Sequence, residues 1–335
     1  INETNWTFPE GNNSQLWALL KNITSAIREV DPNHIIIYEG NWFANDYSGF
    51  TLPADGNIVL SFHKYWDIPT QESFNNAFNL RNTYNVPVWL GESGENSNVW
   101  FTSAIALCEK NRIGWSWWPV KKPGLNNPLK VTVNSDYTKL VNSWSGSAKP
   151  TADEAFAAVL KFAENHRLEN CSFQKDVVDA MIRQTKTTET IPYKIYFAGE
   201  PVFAVDYNLG RSSYAYLDND SADFHQTTDT YINWNQGNSY RNDGVDIEAC
   251  TDTENSNGYN IGWTEDGEWM EYTVVVDSAA GYTLSIRSAS GASGSKVHLE
   301  VDGVAVTQVI SLPGTSGWQS WRTTEVNGII LPKGT

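Results

Sequence analysis

Apolar positions change their spacing along the chain. In the first half they recur every three or four residues or gather in short β-branched runs; from Ile195 onward they alternate in twos between Gly, Asn, Asp and Ser. Leu16, Leu19, Leu20, Ile23, Ile27 and Val30 form a stripe that predicts a helix over 14–30, with Ser14 as N-cap and Asp31, Pro32 and Asn33 ending it. A β-branched run over 34–38 predicts a buried strand. The alternation then repeats: strand 57–62, helix 71–84 with Phe74, Phe78 and Leu80 inward, strand 86–90, helix 99–111 with Phe101, Ile105 and Leu107 inward, and strand 113–118. Strands separated by helices at this spacing predict a parallel sheet with right-handed crossovers. Residues 122–147 read as loop, followed by a helix over 150–165 with Phe156, Val159, Leu160 and Phe162 inward, and another over 173–183. The polar, Thr-rich stretch 184–194 reads as a linker between a domain of residues 1–183 and one of 195–335. Beyond it, alternating runs at 269–276, 282–287 and 296–301, with Asp302-Gly303 as a hairpin turn, predict a β-sandwich.

The ends of the first-half strands draw attention to chemistry. Trp42 follows the first run, His63 and Tyr65 the second, Glu92 the third, and Trp118 closes the fourth. A lone carboxylate such as Glu92 at the mouth of a buried strand is costly unless it is solvated, paired or used. Parallel α/β barrels place their sites at such ends. A doubly wound sheet is the alternative, but no Gly-rich phosphate turn is present. Glu92 as an ordinary loop carboxylate, and His63 as a structural histidine, are the plainer readings of each residue alone.

Composition narrows the class. A net charge of −16 and a pI near 4.7 argue against nucleic acid or an anionic membrane as partner. With only 19% charged residues the chain is not an acidic disordered tail. Aromatics reach 13%, with 15 Trp, a supply of flat faces suited to stacking on sugar rings. Cys108, Cys171 and Cys250 are too few and too far apart for a disulfide framework or a CxxC metal site. No run is long enough to cross a membrane. No signal peptide is present, and the chain begins with Ile1 rather than Met.

The ordered set Asn2-Glu3, Trp42, His63-x-Tyr65, Glu92 and Trp118 resembles glycoside hydrolase family 5 over roughly residues 1–165. The resemblance implies a (β/α)8 TIM barrel that cleaves β-linked glycans with retention. It implies Glu3 as acid/base at the end of strand 4 and Glu92 as nucleophile after strand 7. Tyr65 would donate to the nucleophile, and His63 would orient the site. Asn2 would bind the sugar's 2-hydroxyl, and Trp42 and Trp118 (with Trp115 or Trp117 as alternatives to the latter) would line the subsite. The family's strands 1–3, with the Arg and His they carry, have no counterpart here. The fold expected is therefore multidomain: a partial barrel of strands 4–8 followed by an all-β jelly-roll sandwich. The chain reads as a fragment, expected to be inactive alone.

The strings YRNDGVDIE (240–248), GYNIGWTEDGEWMEY (258–272) and SGWQSW (316–321) resemble carbohydrate-binding module family 6 from about residue 200 onward. This implies Tyr259 and Trp318, on loops, as the aromatics that sandwich a sugar, and Trp263, Trp269 and Trp321 as core. That family's last strand would follow Thr335, so this end also reads as cut. A structural calcium is implied, with Asp206 and Glu248 as ligands; the run Asp218 to Asp223 is calcium-like without EF-hand spacing. Together the resemblances imply a secreted hydrolase of β-1,4-glucan with an appended binding module, no cofactor for catalysis, and a plant polysaccharide as partner. A β-mannanase, xylanase or xyloglucanase is the near alternative, and a non-catalytic glycan-binding protein the distant one.

Overall fold

The computed structural model describes residues 2–219 and 234–335. The chain divides into two compact units, with the cut between Thr187 and Thr188. In the first unit the helix α1 (Ser14–Val30) leads to β1 (Ile36–Glu39), a short turn α2 (Asn41–Ala44), β2 (Ile58–Lys64), α3 (Asn75–Tyr84), β3 (Val88–Ser93), α4 (Asn98–Lys110) and β4 (Gly114–Trp115). The four strands are parallel neighbours in the order β1-β2-β3-β4. Tyr38 pairs with Leu60, Leu60 with Val88, and Leu90 with Trp115. Tyr38, Leu60, Leu90, Phe74, Phe78 and Leu80 meet in one buried cluster, as an apolar run beside an amphipathic helix requires. A bulge between Phe62 and His63 sets His63 opposite Glu92. Glu92 therefore lies inside β3, two residues beyond the expected strand end.

α1 has the expected bounds but turns a different face inward. Leu16, Trp17 and Thr24 are buried, whereas Leu19, Ile23, Ile27 and Val30 are exposed. Polar anchors decide this. Trp17 packs on Tyr47 and Phe50 and donates from Nε1 to the Ser48 carbonyl at 2.8 Å. The Thr24 hydroxyl bonds the Tyr38 hydroxyl at 2.5 Å. The N-cap is Asn13, not Ser14, and the Asn13 side chain donates to Asp46 rather than capping.

The stretch expected to be loop over 122–147 contains α5 (Ser135–Ser143), because Asn134 caps it by accepting from the Tyr137 amide. It also contributes the short strands Lys121–Lys122 and Leu129–Lys130 to a three-stranded sheet with Ser172–Phe173. α6 (Ala152–Asn165) starts at a capping box between Thr151 and Glu154. Its Phe156, Val159 and Leu160 are exposed; Ala158 is its buried residue, and Phe162 stacks on Tyr137 at 4.0 Å. α7 (Lys175–Ile182) packs Val177 and Met181 against Trp100, Phe101 and Ile105 of α4. The expected linker is not free chain: Gln184 donates to Asp179 at 2.8 Å, Thr190 donates to Glu271 at 2.7 Å, and Ile191 pairs with Leu209.

The second unit is built from paired strands, most of them short, around one long pair. Ile247–Ala249 pairs with Tyr259–Ile261, Ala280–Ser290 with Gly317–Leu331, and Gly294–Val297 with Ile310–Pro313, all antiparallel. Asp302 and Gly303, both at positive φ (50° and 75°), turn the chain between Val301 and Val304 as a two-residue hairpin demands. Val205, Tyr207, Tyr216, Val245 and Ile247 form the core. Trp263 and Trp269, expected inside, are exposed, and Trp321 is half-buried. Their place is taken by tyrosines and by the buried Arg241, which pairs with Asp243 at 2.6 Å and stacks on Tyr207 at 3.6 Å.

Candidate active site

The sheet of the first unit brings the strand-end residues together. Each parallel strand runs out at the same edge, so β1, β2 and β3 present Glu39, His63 and Glu92 side by side, and the N-terminal segment lays Asn2 and Glu3 across them. His63 is the hub, with its side chain only 1% exposed. Its Nδ1 lies 2.8 Å from Glu3 Oε1 and 3.7 Å from Glu92 Oε2, and its Nε2 lies 3.2 Å from Glu39 Oε1. One side-chain nitrogen or oxygen from each of Glu3, His63 and Glu92 falls within 4.8 Å of the other two.

Glu92 is held at both oxygens. Asn2 donates from Nδ2 to Oε1 at 3.1 Å, and the Tyr65 hydroxyl donates to Oε2 at 2.9 Å. Burial pushes the Tyr65 phenol up, and the hydrogen bond to Glu92 raises it further, so it remains a donor throughout the ordinary pH range. Burial draws the His63 imidazole down, but its hydrogen bonds to Glu39 and Glu3 and the charges of Glu39 and Glu92 outweigh this; the net shift is upward. Glu39 responds in the opposite sense: burial raises its carboxyl, and the hydrogen bond and charge of His63, with the Glu3 amide and Ser61, bring it below the usual range.

Glu39 is the site residue that strand-end reasoning passed over. Its signal is that of Glu92, a carboxylate closing a β-branched run, although the run expected to be buried is not: Ile35 and Ile37 are exposed, and Tyr38 is the buried residue of β1. It was masked because Trp42, three residues on, drew the assignment. Trp42 itself sits in the left-handed turn α2 (φ 51°, ψ 62°), exposed, while its neighbours are tied back to the N-terminal segment, Asn41 through Trp6 and Phe43 through Thr4. Trp118 is 51% exposed, and its amide donates to the Ser93 carbonyl at 2.6 Å, one residue beyond Glu92. Trp115 and Trp117 are half-buried and pack in the hydrophobic clusters, which leaves Trp118 as the open face at this strand end. Gly94 permits the approach: a Cβ there would overlap the Trp118 carbonyl, and its φ of +138° suits glycine. A cavity of about 290 Å³ beside the cluster is lined by Asn2, Ile37, Glu39, Ser61, Trp89 and Gly91.

Residues 2–124 match the family described as Cellulase (glycosyl hydrolase family 5), and residues 236–335 match Carbohydrate binding module (family 6). The first unit carries a glycosyl hydrolase family 5 segment. The second carries a family 6 carbohydrate-binding module. Over 81 residues the chain is 32% identical to the clotting factor G alpha subunit of Tachypleus tridentatus, covering 24% of this chain and 12% of that protein. Among solved structures it resembles an endoglucanase (21% identical, 35% of this chain and 49% of that one, TM-score 0.30). It also resembles the cellulose synthase subunit Z of Clostridioides difficile (16% identical, 51% and 56%, TM-score 0.33). The chain thus spans about half the length of these structures and a small part of the curated relative.

In the family 6 segment the expected sugar-binding aromatics lie on strands, not loops. Tyr259 opens the strand Tyr259–Ile261 and is half-buried, its ring 4.8 Å from Tyr240 and packed on the core. Trp318 lies in Gly317–Leu331, is 68% exposed, and rests against Gly291, where a Cβ would meet its indole. The two segments meet through Gln319, which donates to Glu248 Oε1 at 2.7 Å and Asn260 Oδ1 at 3.1 Å. Tyr259 is thus occupied by packing, and Trp318 alone of the pair offers an open ring face.

The calcium pair does not fit this arrangement. Asp206 is buried and accepts from the hydroxyls of Tyr196 and Tyr240, each at 2.5 Å, while Glu248 accepts from Asn260 and Gln319. Their oxygens face different protein donors, and among the described residues neither belongs to a cluster of three His, Cys, Asp or Glu ligands. Of the acidic run at 218–223, residues 220–223 lie outside the described residues.

Proposed function

We propose that the protein is a retaining glycoside hydrolase of β-1,4-glucan, with the family 6 module holding it on the polymer. The observation that carries this reading is the convergence of Glu3 and Glu92 on His63, with carboxylate oxygens within 4.8 Å of each other. Retaining enzymes keep their two carboxyl groups about 5–5.5 Å apart, whereas inverting ones leave about 6.5–9.5 Å for a water. In the first step Glu92 attacks the anomeric carbon and Glu3 gives its proton to the departing glycosidic oxygen. In the second, Glu3 takes a proton from water, which displaces Glu92 from the glycosyl ester. Tyr65 and Asn2 keep Glu92 aimed; Asn2 exchanges that bond for the sugar's 2-hydroxyl when substrate arrives. Trp118 supplies a stacking face at the same end. The sequential strand order, without the reversal of a doubly wound sheet, favours a (β/α)8 barrel as the parent fold, and the paired short strands favour a jelly-roll sandwich for the module.

The test is Glu92→Gln in the intact protein. Loss of hydrolysis with retained polysaccharide binding supports the reading, and unchanged hydrolysis overturns it. A product profile on cellulose, mannan, xylan and mixed-linkage glucan decides the substrate, since the same two glutamates serve all four. Retention of both glutamates disfavours a non-catalytic glycan-binding protein, which has no use for the pair.

A further inference from the structure

Glu39 reaches Glu3 by two routes, one direct and one through His63. Its Oε2 accepts the backbone N–H of Glu3 at 3.3 Å, and its Oε1 faces His63 Nε2 at 3.2 Å. The other ring nitrogen of that histidine faces the Glu3 carboxylate at 2.8 Å. Glu3 itself lies at φ 49°, a region that residues other than glycine seldom adopt, so its main chain needs an outside hold. We propose that Glu39 is a positioning residue for Glu3, acting through the Glu3 amide and through the tautomer of His63. This deepens the hydrolase reading above and rests on it.

The chemistry follows from the atoms. A carboxylate at Nε2 requires a proton there, because two acceptors cannot face each other. With Nε2–H committed to Glu39, only Nδ1 is left to exchange a proton with Glu3. When Glu3 is protonated, its O–H donates to neutral Nδ1, and this is the form that can protonate a leaving oxygen. When that proton sits on Nδ1 instead, Nδ1–H donates to ionised Glu3; delivery to the leaving oxygen takes one proton out of this pair, and water returns it in the second step. One proton moves between Oε1 and Nδ1, and the charge of the Glu39–His63–Glu3 set is unchanged by the shift. His63 is also faced by Glu92 from β3, whose second partner is Tyr65. Next along β2, Lys64 pairs with Asp67 at 2.6 Å, so its charge is already taken up. Tyr47, near Glu39, donates to the carbonyls of Tyr38 and Ser61. A positioning carboxylate on a functional histidine is a recurring device for setting which nitrogen is protonated.

The experiment reads the imidazole directly. Nitrogen-15 NMR of His63 in the chain, assigned by comparison with His63→Asn, should show Nε2 protonated across the titration and Nδ1 titrating. In Glu39→Gln the His63 pKa should fall, and the tautomer should become mixed. Glu39→Asp should restore the charge and recover part of the shift. An unchanged His63 titration in Glu39→Gln overturns the proposal, whether or not hydrolysis is ever observed. In the intact protein, Glu39→Gln should lower kcat about 10-fold or more with little change in KM and displace the pH profile of kcat. A shifted His63 with an unmoved kcat profile would reduce Glu39 to a structural partner and overturn its role in catalysis. Loss of hydrolysis in Glu92→Gln with an unmoved tautomer of His63 separates the two glutamates' roles.

Discussion

His63 answers to three carboxylates, and its consequences can be measured one residue at a time. The folded pKa of His63 is raised, so the stability it contributes is full below its ordinary value of 6.5 and is lost as pH rises through the folded value. Glu39 is lowered, so its contribution is full above its ordinary 4.5 and is lost as pH falls through the folded value. The pair should therefore stabilise most between roughly pH 4.5 and 6.5. Thermal unfolding of wild type and Glu39→Gln across pH checks this; a Tm difference that does not peak there would count against the pairing. Tyr65→Phe removes the donor to Glu92 Oε2 and should lower kcat of the intact protein by about 10–100-fold with a smaller effect on KM. At this scale Glu92, His63 and Tyr65 were legible because each closes a buried run. Glu39 closes a half-exposed β-branched run, and nothing local distinguishes a carboxylate facing a histidine from one facing water.

Among the elements, α4 shows how cap and core act together. Ser97 accepts from the Trp100 amide at 3.2 Å, and Trp100, Phe101 and Ile105 bury completely. Trp100 Nε1 also donates to the Asp67 carbonyl at 2.8 Å, which satisfies its one polar atom inside. Ser97→Ala should cost about 1 kcal/mol, and Trp100→Ala about 3–5 kcal/mol, read as shifts in the urea midpoint. Equal losses from the two changes would contradict the assignment of packing as the larger effect. The helices whose apolar stripe faces a strand, α3 and α4, matched their expected inward faces most closely. α1 and α6 did not, since their orientation was set by partners far along the chain. Trp17 with Ser48 and Thr24 with Tyr38 rotate α1, and Tyr137 with Phe162 anchors α6.

At the scale of the whole molecule, the proposed reading gives each of the two compact units its own role. In the intact protein Glu92→Gln should abolish hydrolysis and leave pull-down on insoluble glucan intact, whereas Trp318→Ala should abolish pull-down. Trp318 is the aromatic with an open face, so Tyr259→Ala should act chiefly on stability, through its packing on Tyr240 and the core. Normal pull-down by Trp318→Ala would remove it from the binding surface.

The order of elements, the parallel sheet, the change to short paired strands and the Asp302-Gly303 turn were all written in local pattern: spacing, turn chemistry and β-branched runs act over a few residues. The strand-end residues were legible for the same reason. Tertiary structure alone decided which faces turn inward, that Glu39 shares a histidine with Glu3, that Tyr259 is occupied by packing, and that Asp206 belongs to two tyrosines. Each depends on partners brought together by the fold from distant positions, and the energy of a buried charge or ring is set by those partners and not by its neighbours in the chain.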